Sequence, residues 1–245
     1  MADEYRASTY GDRIAEVYDD WPGVPQDAAM AAEFLADLAG DGSALELGIG
    51  TGPVALLLRE RGIEVHGIDA SGAMVAKLRG KPGGDEILVT IGNFADVTVE
   101  RKFRLIYVVF NTFFALLTQE EQVRCFGNVA RHLERDGTFV IETFVPDVTR
   151  FDRGQRVSAL RFGDDAVWLD ASVYDPVSQT VRAQHLVVGS QGFSSYPVRL
   201  RFAYPSELDL MARLSGLRLR ERWNNWKREP YTATALQVSV YERDD

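Results

Sequence analysis

The sequence predicts an α/β fold: a Rossmann-like, doubly wound sheet of seven mostly parallel strands, with an antiparallel β insertion after strand five. Between residues 40 and 145, strand-like apolar runs alternate with helical segments, as in the βαβ units of a parallel sheet. Between residues 167 and 204, strand-like segments follow one another with no helix between them, which indicates antiparallel pairing. The 245 residues, 46% of them hydrophobic, are enough for one large domain that carries an insertion.

The first 40 residues are predicted to form a helical lid. Apolar and aromatic residues from Tyr10 to Trp21 recur at helical spacing, which predicts a helix over residues 10–21. The stretch WPGVP at 21–25 interrupts this pattern, and a second helix is predicted from about residue 26 to residue 38.

Residues 41–150 are predicted to form the core of the fold. Pro53 and Gly62 are suited to begin and end the first core helix. The predicted strands are ALELG (44–48), EVHGIDA (64–70), ILVTIGN (87–93), FRLIYVVFN (103–111) and TFVIETF (138–144), and the predicted helices are 53–62, 71–80 and 118–133.

Residues 151–204 are predicted to form the insertion, and residues 205–245 to complete the core. Residues 167–188 indicate two strands around a turn at Asp175–Pro176, and residues 196–204 a third strand. The helix that follows has capping-box spacing at Ser206 and Asp209, and Gly216 is suited to end it. The last strand, LQVSVYER (236–243), is expected to join the main sheet in the antiparallel direction.

Composition argues against several classes of partner. The net charge is −9, from 27 basic and 36 acidic residues without a tight basic cluster, so no nucleic-acid partner is expected. The longest apolar runs are strand-sized, and the charged N-terminus does not resemble a signal peptide, so no membrane partner is expected. The single cysteine, Cys125, excludes an intrachain disulfide and favours the cytoplasm. The oligomeric state is left open, with a homodimer as one alternative.

The stretch ALELGIGTGP (44–53) carries glycines at every second position. A dinucleotide fingerprint would require a third glycine at position 53, where this chain has Pro53, and no Gly-Lys-Ser/Thr of a phosphate loop follows. Glycines at this density let a ligand approach the backbone closely, whether or not that ligand carries phosphate.

This stretch resembles the first motif of the class I S-adenosylmethionine (SAM)-dependent methyltransferases, and four further motifs resemble theirs in order. The resemblance implies that the loop passes under the amino-acid part of SAM and that Glu46 helps to organise it. Asp69, which follows Gly48 by 69 − 48 = 21 residues, would accept hydrogen bonds from the ribose hydroxyls. Ser71 is suited to cap the next helix in place of Asp69.

The third motif departs from the family pattern, because Asn93 stands where Asp is usual. Its amide oxygen could still accept from the adenine amino group, without the help of a charge. The three histidines have no metal-ligand spacing, so no metal site is expected. The cofactor site implied by the resemblance comprises Tyr18, Glu46, Gly48, Gly50, Gly52, Asp69, Ala70, Met74, Asn93, Phe94 and Phe110.

The flanking segments resemble those of small-molecule methyltransferases, including enzymes that act on amino sugars and related natural products. The acceptor is expected above the ends of strands four and five, with Glu142 and Asn111 as catalytic candidates. Phe113, Phe114, Phe144 and His185 are expected to contact it. Because the sulfonium is already an activated electrophile, positioning is expected to carry most of catalysis, without a His–Asp pair near the strand ends. The alternatives are a SAM-binding cyclase or rearrangement enzyme, and a non-catalytic SAM-binding partner subunit.

Overall fold

A computed structural model describes residues 5–21, 28–96, 99–190 and 192–244, and its centre is a seven-stranded sheet. The strand order is β10-β11-β5-β4-β1-β2-β3, and β11 is antiparallel to both of its neighbours. The doubly wound fold and the antiparallel last strand are therefore confirmed. The strands are β1 (Ala44–Leu47), β2 (Val65–Asp69), β3 (Leu88–Ile91), β4 (Phe103–Val108), β5 (Leu133–Phe144), β10 (Leu217–Trp223) and β11 (Leu236–Arg243).

Helices cover both faces of this sheet, because its strands carry apolar residues on both sides. On one face, α2 (Ala28–Ala39) and α3 (Pro53–Glu60) pack with residues such as Ala44 and Val140. On the other face, α5 (Gln119–His132) and α6 (Pro205–Leu214) pack with residues such as Leu45 and Ile141. In the described part of the chain, no helix is long and apolar enough to cross a bilayer.

The insertion is a separate four-stranded antiparallel sheet in the order β6-β7-β8-β9. Its strands are β6 (Gln155–Phe162), β7 (Ala166–Asp175), β8 (Thr180–Gly189) and β9 (Gly192–Arg201). The predicted turn at Asp175–Pro176 joins β7 and β8, whereas β6 was not predicted. Arg201, buried at the end of β9, donates to Gln122 of α5 and forms a 2.6 Å ion pair with Glu207 of α6. These contacts fasten the base of the insertion to the core.

The N-terminal segment, residues 5–21, differs from the single helix predicted over 10–21. Helix α1 covers only Thr9–Ile14, and a short 3-10 helix follows at Tyr18–Asp20. Asp19, although exposed, accepts a 2.6 Å hydrogen bond from Thr51 Oγ1 of the loop after β1, and this tertiary contact competes with a continuous helix. Residues 22–27, with most of the WPGVP stretch and the predicted start of the second helix, lie outside the described residues.

The predicted capping box of α6 is wrong. The helix begins after Tyr204 with Pro205 in its first turn, and no side chain caps its N-terminus. Proline already lacks one of the N–H groups that a cap would satisfy. Asp209 faces the sheet instead, where its carboxylate accepts from Arg222 at 2.5 Å and from the Tyr241 hydroxyl at 2.9 Å.

Candidate active site

The glycine loop between β1 and α3 lies at the carboxyl-end edge of the sheet and needs glycine at each of its three positions. Gly48, Gly50 and Gly52 have φ angles of 73°, 56° and 73°, in the left-handed region that other residues rarely adopt. A Cβ on Gly48 would lie 2.3 Å from Thr112 Cγ2, and one on Gly52 would lie 2.4 Å from Leu78 Cδ1. The loop is therefore bare backbone, in a conformation that a ligand can approach closely.

Asp69, at the end of β2, holds the loop in place. Its Oδ2 accepts from the backbone N–H of Gly50 and its Oδ1 from that of Ser71, both at 2.8 Å. Ser71 caps α4 (Gly72–Arg79) by accepting from the N–H of Met74, so its predicted capping role is confirmed. Burial raises the pKa of Asp69, and the backbone N–H groups offset only part of that effect.

Glu46 of β1 is a second acid beside Asp69, and it is buried whereas Asp69 is half-buried. Its side chain is almost completely enclosed and accepts a 2.9 Å hydrogen bond from the hydroxyl of Tyr107. Burial raises the pKa of Glu46 to about 8, and the nearby charge of Asp69 acts in the same direction. Both carboxylates are thus destabilised in their ionised forms, and a ligand with positive charge would relieve this.

The N-terminal segment lies over the loop and the start of α4. Burial raises the pKa of Tyr18, and the charges of Asp69 and Glu46 act in the same direction. Gly11 of α1 approaches Ser71 so closely that a Cβ on it would lie 2.6 Å from Ser71 Cβ. The Ser71 hydroxyl donates to Asp12 at 2.6 Å. The N-terminal segment is therefore held against the glycine loop and the start of α4, next to the residues that the resemblance assigns to SAM binding.

Comparison with known proteins decides the family. A family model described as a methyltransferase domain matches residues 44–137, from β1 into β5. The solved structure of the CcbJ methyltransferase from Streptomyces caelestis is 42% identical, with a TM-score of 0.94, and the match covers 98% of this chain and 100% of that one. The chain is a class I SAM-dependent methyltransferase. Its cofactor is accordingly SAM.

Two further proteins are similar to this methyltransferase. The cypemycin N-terminal methyltransferase of a Streptomyces species is 28% identical over 236 residues, which are 95% of this chain and 96% of that protein. The solved structure of SAM-bound CalS10, an amino pentose methyltransferase from Micromonospora echinaspora, shares the fold. Its TM-score is 0.67 at 21% identity, and the match covers 87% of this chain and 89% of that one.

The geometry of the site fits SAM. SAM carries positive charge on its sulfonium and amino groups, which complements the buried Glu46 and the half-buried Asp69. Ala70 follows Asp69 directly, and Met74 is buried in the first turn of α4, behind the Ser71 cap. The individual binding roles of these residues stay predictions.

Asn93 makes local contacts that explain the departure from the family motif. Its Oδ1 accepts from the N–H of Ala95 at 2.9 Å, and its Nδ2 lies 3.4 Å from Glu121 Oε1. An aspartate here would place a second carboxylate beside Glu121, which is unfavourable for both charges. The neighbouring Phe94 is buried in the core. The adenine contact stays a prediction.

The two catalytic candidates join the ends of β4 and β5. Phe110 and Asn111 both have left-handed backbones, with φ angles of 55° and 63°. The N–H of Phe110 donates to Glu142 Oε2, and the N–H of Phe144 donates to Asn111 Oδ1, each at 2.6 Å. The structure therefore shows a positioning contact for Glu142 and Asn111, whereas their catalytic roles stay predictions.

The three phenylalanines expected to contact the acceptor differ in burial. Phe113 and Phe114 are fully buried, and Phe113 packs edge-on against Phe126 of α5 at 5.6 Å. Phe114 packs against Phe144 at 4.9 Å, and Phe144 is only partly buried. This packing makes Phe113 a core residue, and the contacts of the three side chains with an acceptor stay predictions.

His185 of β8 has an acidic neighbour that periodicity within a single strand does not predict. Its Nε2 lies 3.5 Å from Oδ2 of Asp170 on β7, and its ring stacks on Trp21 with centroids 5.2 Å apart. Counting outward from the turn at Asp175–Pro176 could have found this pair, because Asp175 pairs with Thr180 and the same register sets Asp170 opposite His185. Among the described residues, no cluster of three or more His, Cys, Asp or Glu side chains could hold a metal ion.

Proposed function

We propose that this methyltransferase transfers the methyl group of SAM to an amine nitrogen of a small natural-product acceptor in the cytoplasm. The similarity to an N-terminal methyltransferase, which extends over nearly the whole of both chains, supports an amine acceptor. The observation that carries the proposal is the placement of the glycine loop, with the acids Glu46 and Asp69, beneath the N-terminal segment and against Thr112 after β4.

The proposed cofactor site follows the contacts of the loop. When bound, SAM supplies a methyl group that is already activated by the sulfonium. Asp69 accepts from the ribose hydroxyls with the lone pairs that Gly50 and Ser71 leave available. The backbone of Gly48, Gly50 and Gly52 faces the amino-acid part, with Glu46 beneath it. Three further groups of contacts with SAM are proposed. Tyr18 covers the bound SAM, Asn93 and Phe94 contact its adenine, and Ala70, Met74 and Phe110 line the sides of the cofactor site.

The proposed acceptor site lies between the β4 and β5 ends, the N-terminal segment and the insertion. The insertion is fastened to the core at Arg201, and Trp21 of the N-terminal segment packs against its His185 and Tyr196. In this proposal residues 5–21 act as the lid, because Asp12 of α1 accepts from Ser71 at the start of α4. Asp19 likewise accepts from Thr51 of the glycine loop. The lid predicted over residues 1–40 is shortened in this proposal, because α2 packs in the core. Such an enclosure orients the acceptor and excludes water, which is where a methyltransferase gains most of its rate.

Product analysis with matched acceptors tests this function. The protein is incubated with SAM and either glucosamine or a short peptide with a free N-terminus, and S-adenosylhomocysteine and the methylated product are measured by mass spectrometry. Glucose and the N-acetylated peptide are the controls that lack the amine. We expect S-adenosylhomocysteine only with the amines. Methylation of the controls would assign an oxygen acceptor, and tight SAM binding without S-adenosylhomocysteine from any probe would favour the non-methylating alternatives.

The cofactor role of Asp69 has its own test. Asp69→Ala removes a charged acceptor for two hydrogen bonds, so SAM binding is expected to weaken by about 2–4 kcal/mol in calorimetry. An unchanged dissociation constant would show that Asp69 only holds the loop.

A further inference from the structure

The inner face of the insertion carries a row of polar side chains across all four strands. Ser158, Asp170, His185 and Tyr196 stand directly opposite one another in the registers of β6, β7, β8 and β9. This face is the one turned toward the N-terminal segment, because Trp21 stacks on His185 and packs edge-on against Tyr196 at 5.5 Å. A polar row on a covered face is unusual, since that face would normally be apolar.

The His185 ring is held from two sides. Trp21 stacks on one face of it, with an angle of 16° between the two rings, and Asp170 lies 3.5 Å from its Nε2. Burial raises the pKa of Asp170, but the nearby His185 and the 2.9 Å hydrogen bond from the Ser172 hydroxyl outweigh this and leave the pKa lowered, so Asp170 is ionised. A carboxylate beside Nε2 favours the tautomer that has its proton there, which leaves a lone pair on Nδ1.

The other ring nitrogen of His185, Nδ1, is unpaired among the described residues. Nδ1 of His185 is buried and finds no hydrogen-bond partner within the described ranges, and the same holds for Oγ of Ser158 in the same row. A buried polar atom without a partner costs about 1–3 kcal/mol, which suggests that a ligand completes it. Tyr10 lies edge-on to His185 at 6.3 Å and to Tyr18 at 6.5 Å, so aromatic contacts connect the polar row to the segment that lies over the glycine loop.

From this arrangement we propose that His185, oriented by Asp170, is the proton acceptor for the amine nucleophile. This inference rests on the proposed function. The bound ammonium group of the acceptor gives a proton to Nδ1, and the resulting imidazolium is balanced by Asp170. The freed nitrogen lone pair then forms the N–C bond to the methyl group while the C–S bond of SAM breaks and its electron pair stays on sulfur. His185 later returns the proton to water.

The groups that face His185 set the expected pH dependence. They are Asp170 and Tyr196 from the insertion and Tyr10 from the N-terminal segment, while the charge of Arg156 acts on Asp170. Burial raises the pKa of Tyr10 far above the neutral range, so this tyrosine does not exchange protons there. The acid limb of the pH–rate profile should accordingly depend on His185 and its carboxylate.

The first test reads the histidine directly in the S-adenosylhomocysteine complex. Nitrogen NMR of labelled imidazole should show the Nδ1 of His185 as the lone-pair nitrogen at pH 8 in wild type, and mixed tautomers in Asp170→Asn. A proton on Nδ1 in wild type would overturn the proposal. Because this measurement needs no acceptor, it separates failure of the inference from failure of the amine assignment.

The second test compares His185→Asn with His66→Asn, using glucosamine or the free peptide as acceptor. Asparagine keeps an acceptor atom near the position of Nδ1 but cannot take up a proton. His66 pairs with Glu64 at 3.2 Å on β2, outside the enclosure, and serves as the matched His–acid control. We expect His185→Asn to lose at least about a hundredfold in kcat together with the acid limb, with the SAM dissociation constant unchanged. A kcat within threefold of wild type would refute the role. If wild type turns over neither amine, the amine assignment fails and the tautomer alone decides the inference.

Discussion

At the scale of single residues, the most strained point of the site is the end of β4. Phe110 and Asn111 are consecutive non-glycine residues in the left-handed region, and each costs of order 1–3 kcal/mol that surrounding contacts must outweigh. The contacts are at hand, since Glu142 accepts from the N–H of Phe110 and Asn111 accepts from that of Phe144. The side chains proposed for chemistry are therefore also those that hold the backbone in place.

Two substitutions at Glu142 separate these roles. Glu142→Ala removes the acceptor for the Phe110 N–H, so we expect a loss of about 1–3 kcal/mol in the free energy of unfolding, measured by urea denaturation. Glu142→Gln keeps an acceptor oxygen and should unfold close to wild type. If Glu142 also orients the acceptor or moves a proton, Glu142→Gln still loses about a hundredfold or more in kcat. Full activity of Glu142→Gln would leave only the positioning role.

At the scale of elements, strands and helices with a strong hydrophobic periodicity could be predicted. Elements whose form depends on tertiary contacts could not. The core strands were found because their apolar runs alternate with helical segments. Strand β6 was missed because it is an edge strand that leaves Val157 and Phe162 largely exposed, so its pattern does not resemble a buried strand. The continuous helix over 10–21 was wrong: α1 ends at Ile14, and beyond it Asp19 bonds the distant Thr51 and Lys81, contacts that a local pattern does not contain.

The same division applies to the candidate site. The glycine loop and Asp69 could be predicted, because the spacing of these motifs along the chain mirrors their place at the sheet edge. The Asp170–His185 pair depends on the register between two strands, and the contact of Trp21 with His185 joins segments more than 160 residues apart (185 − 21 = 164). Periodicity within one segment contains no information about such a contact.

The packing of α1 against the start of α4 can be tested with a single Gly→Ala substitution, which adds one methyl group. Gly11→Ala places a Cβ where Ser71 already lies, so α1 must shift, at a cost of about 1–3 kcal/mol. We expect faster hydrogen exchange over residues 8–21 in the SAM complex and weaker SAM binding. Gly72→Ala is the matched control, because nothing lies within 4 Å of its added Cβ. Equal protection in the two variants would show that this contact does not hold the segment.

At the scale of the whole molecule, pH links stability to cofactor binding through the buried acids. The pKa of Glu46 is raised from 4.5 to about 8 in the folded protein. Between these values the folded state holds a proton that the unfolded state has released, so rising pH favours unfolding. Asp69, whose pKa is also raised, adds an effect of the same sign.

We therefore expect Glu46→Gln to gain stability relative to wild type as the pH rises from 5 to about 8, in thermal unfolding without SAM. Because a cationic ligand favours the ionised carboxylate, SAM binding to wild type should release protons, detected by calorimetry in buffers of different ionisation enthalpy. The variant should release fewer. Parallel pH curves for the two proteins would contradict the assignment of a raised pKa to Glu46.

The ion pair between Lys81 and Asp19, at 2.9 Å, has a bearing on the speed of successive turnovers. Lys81 also donates to the carbonyl oxygen of Thr51, so it ties the glycine loop and the N-terminal segment together. If that segment covers the bound cofactor, spent cofactor leaves only after these bonds break, and opening competes with methyl transfer as the slowest step. Product formation in the first turnover would then be faster than the steady-state rate and would appear as a burst. Added salt, which screens this half-exposed pair, would quicken the steady rate and leave the burst unchanged.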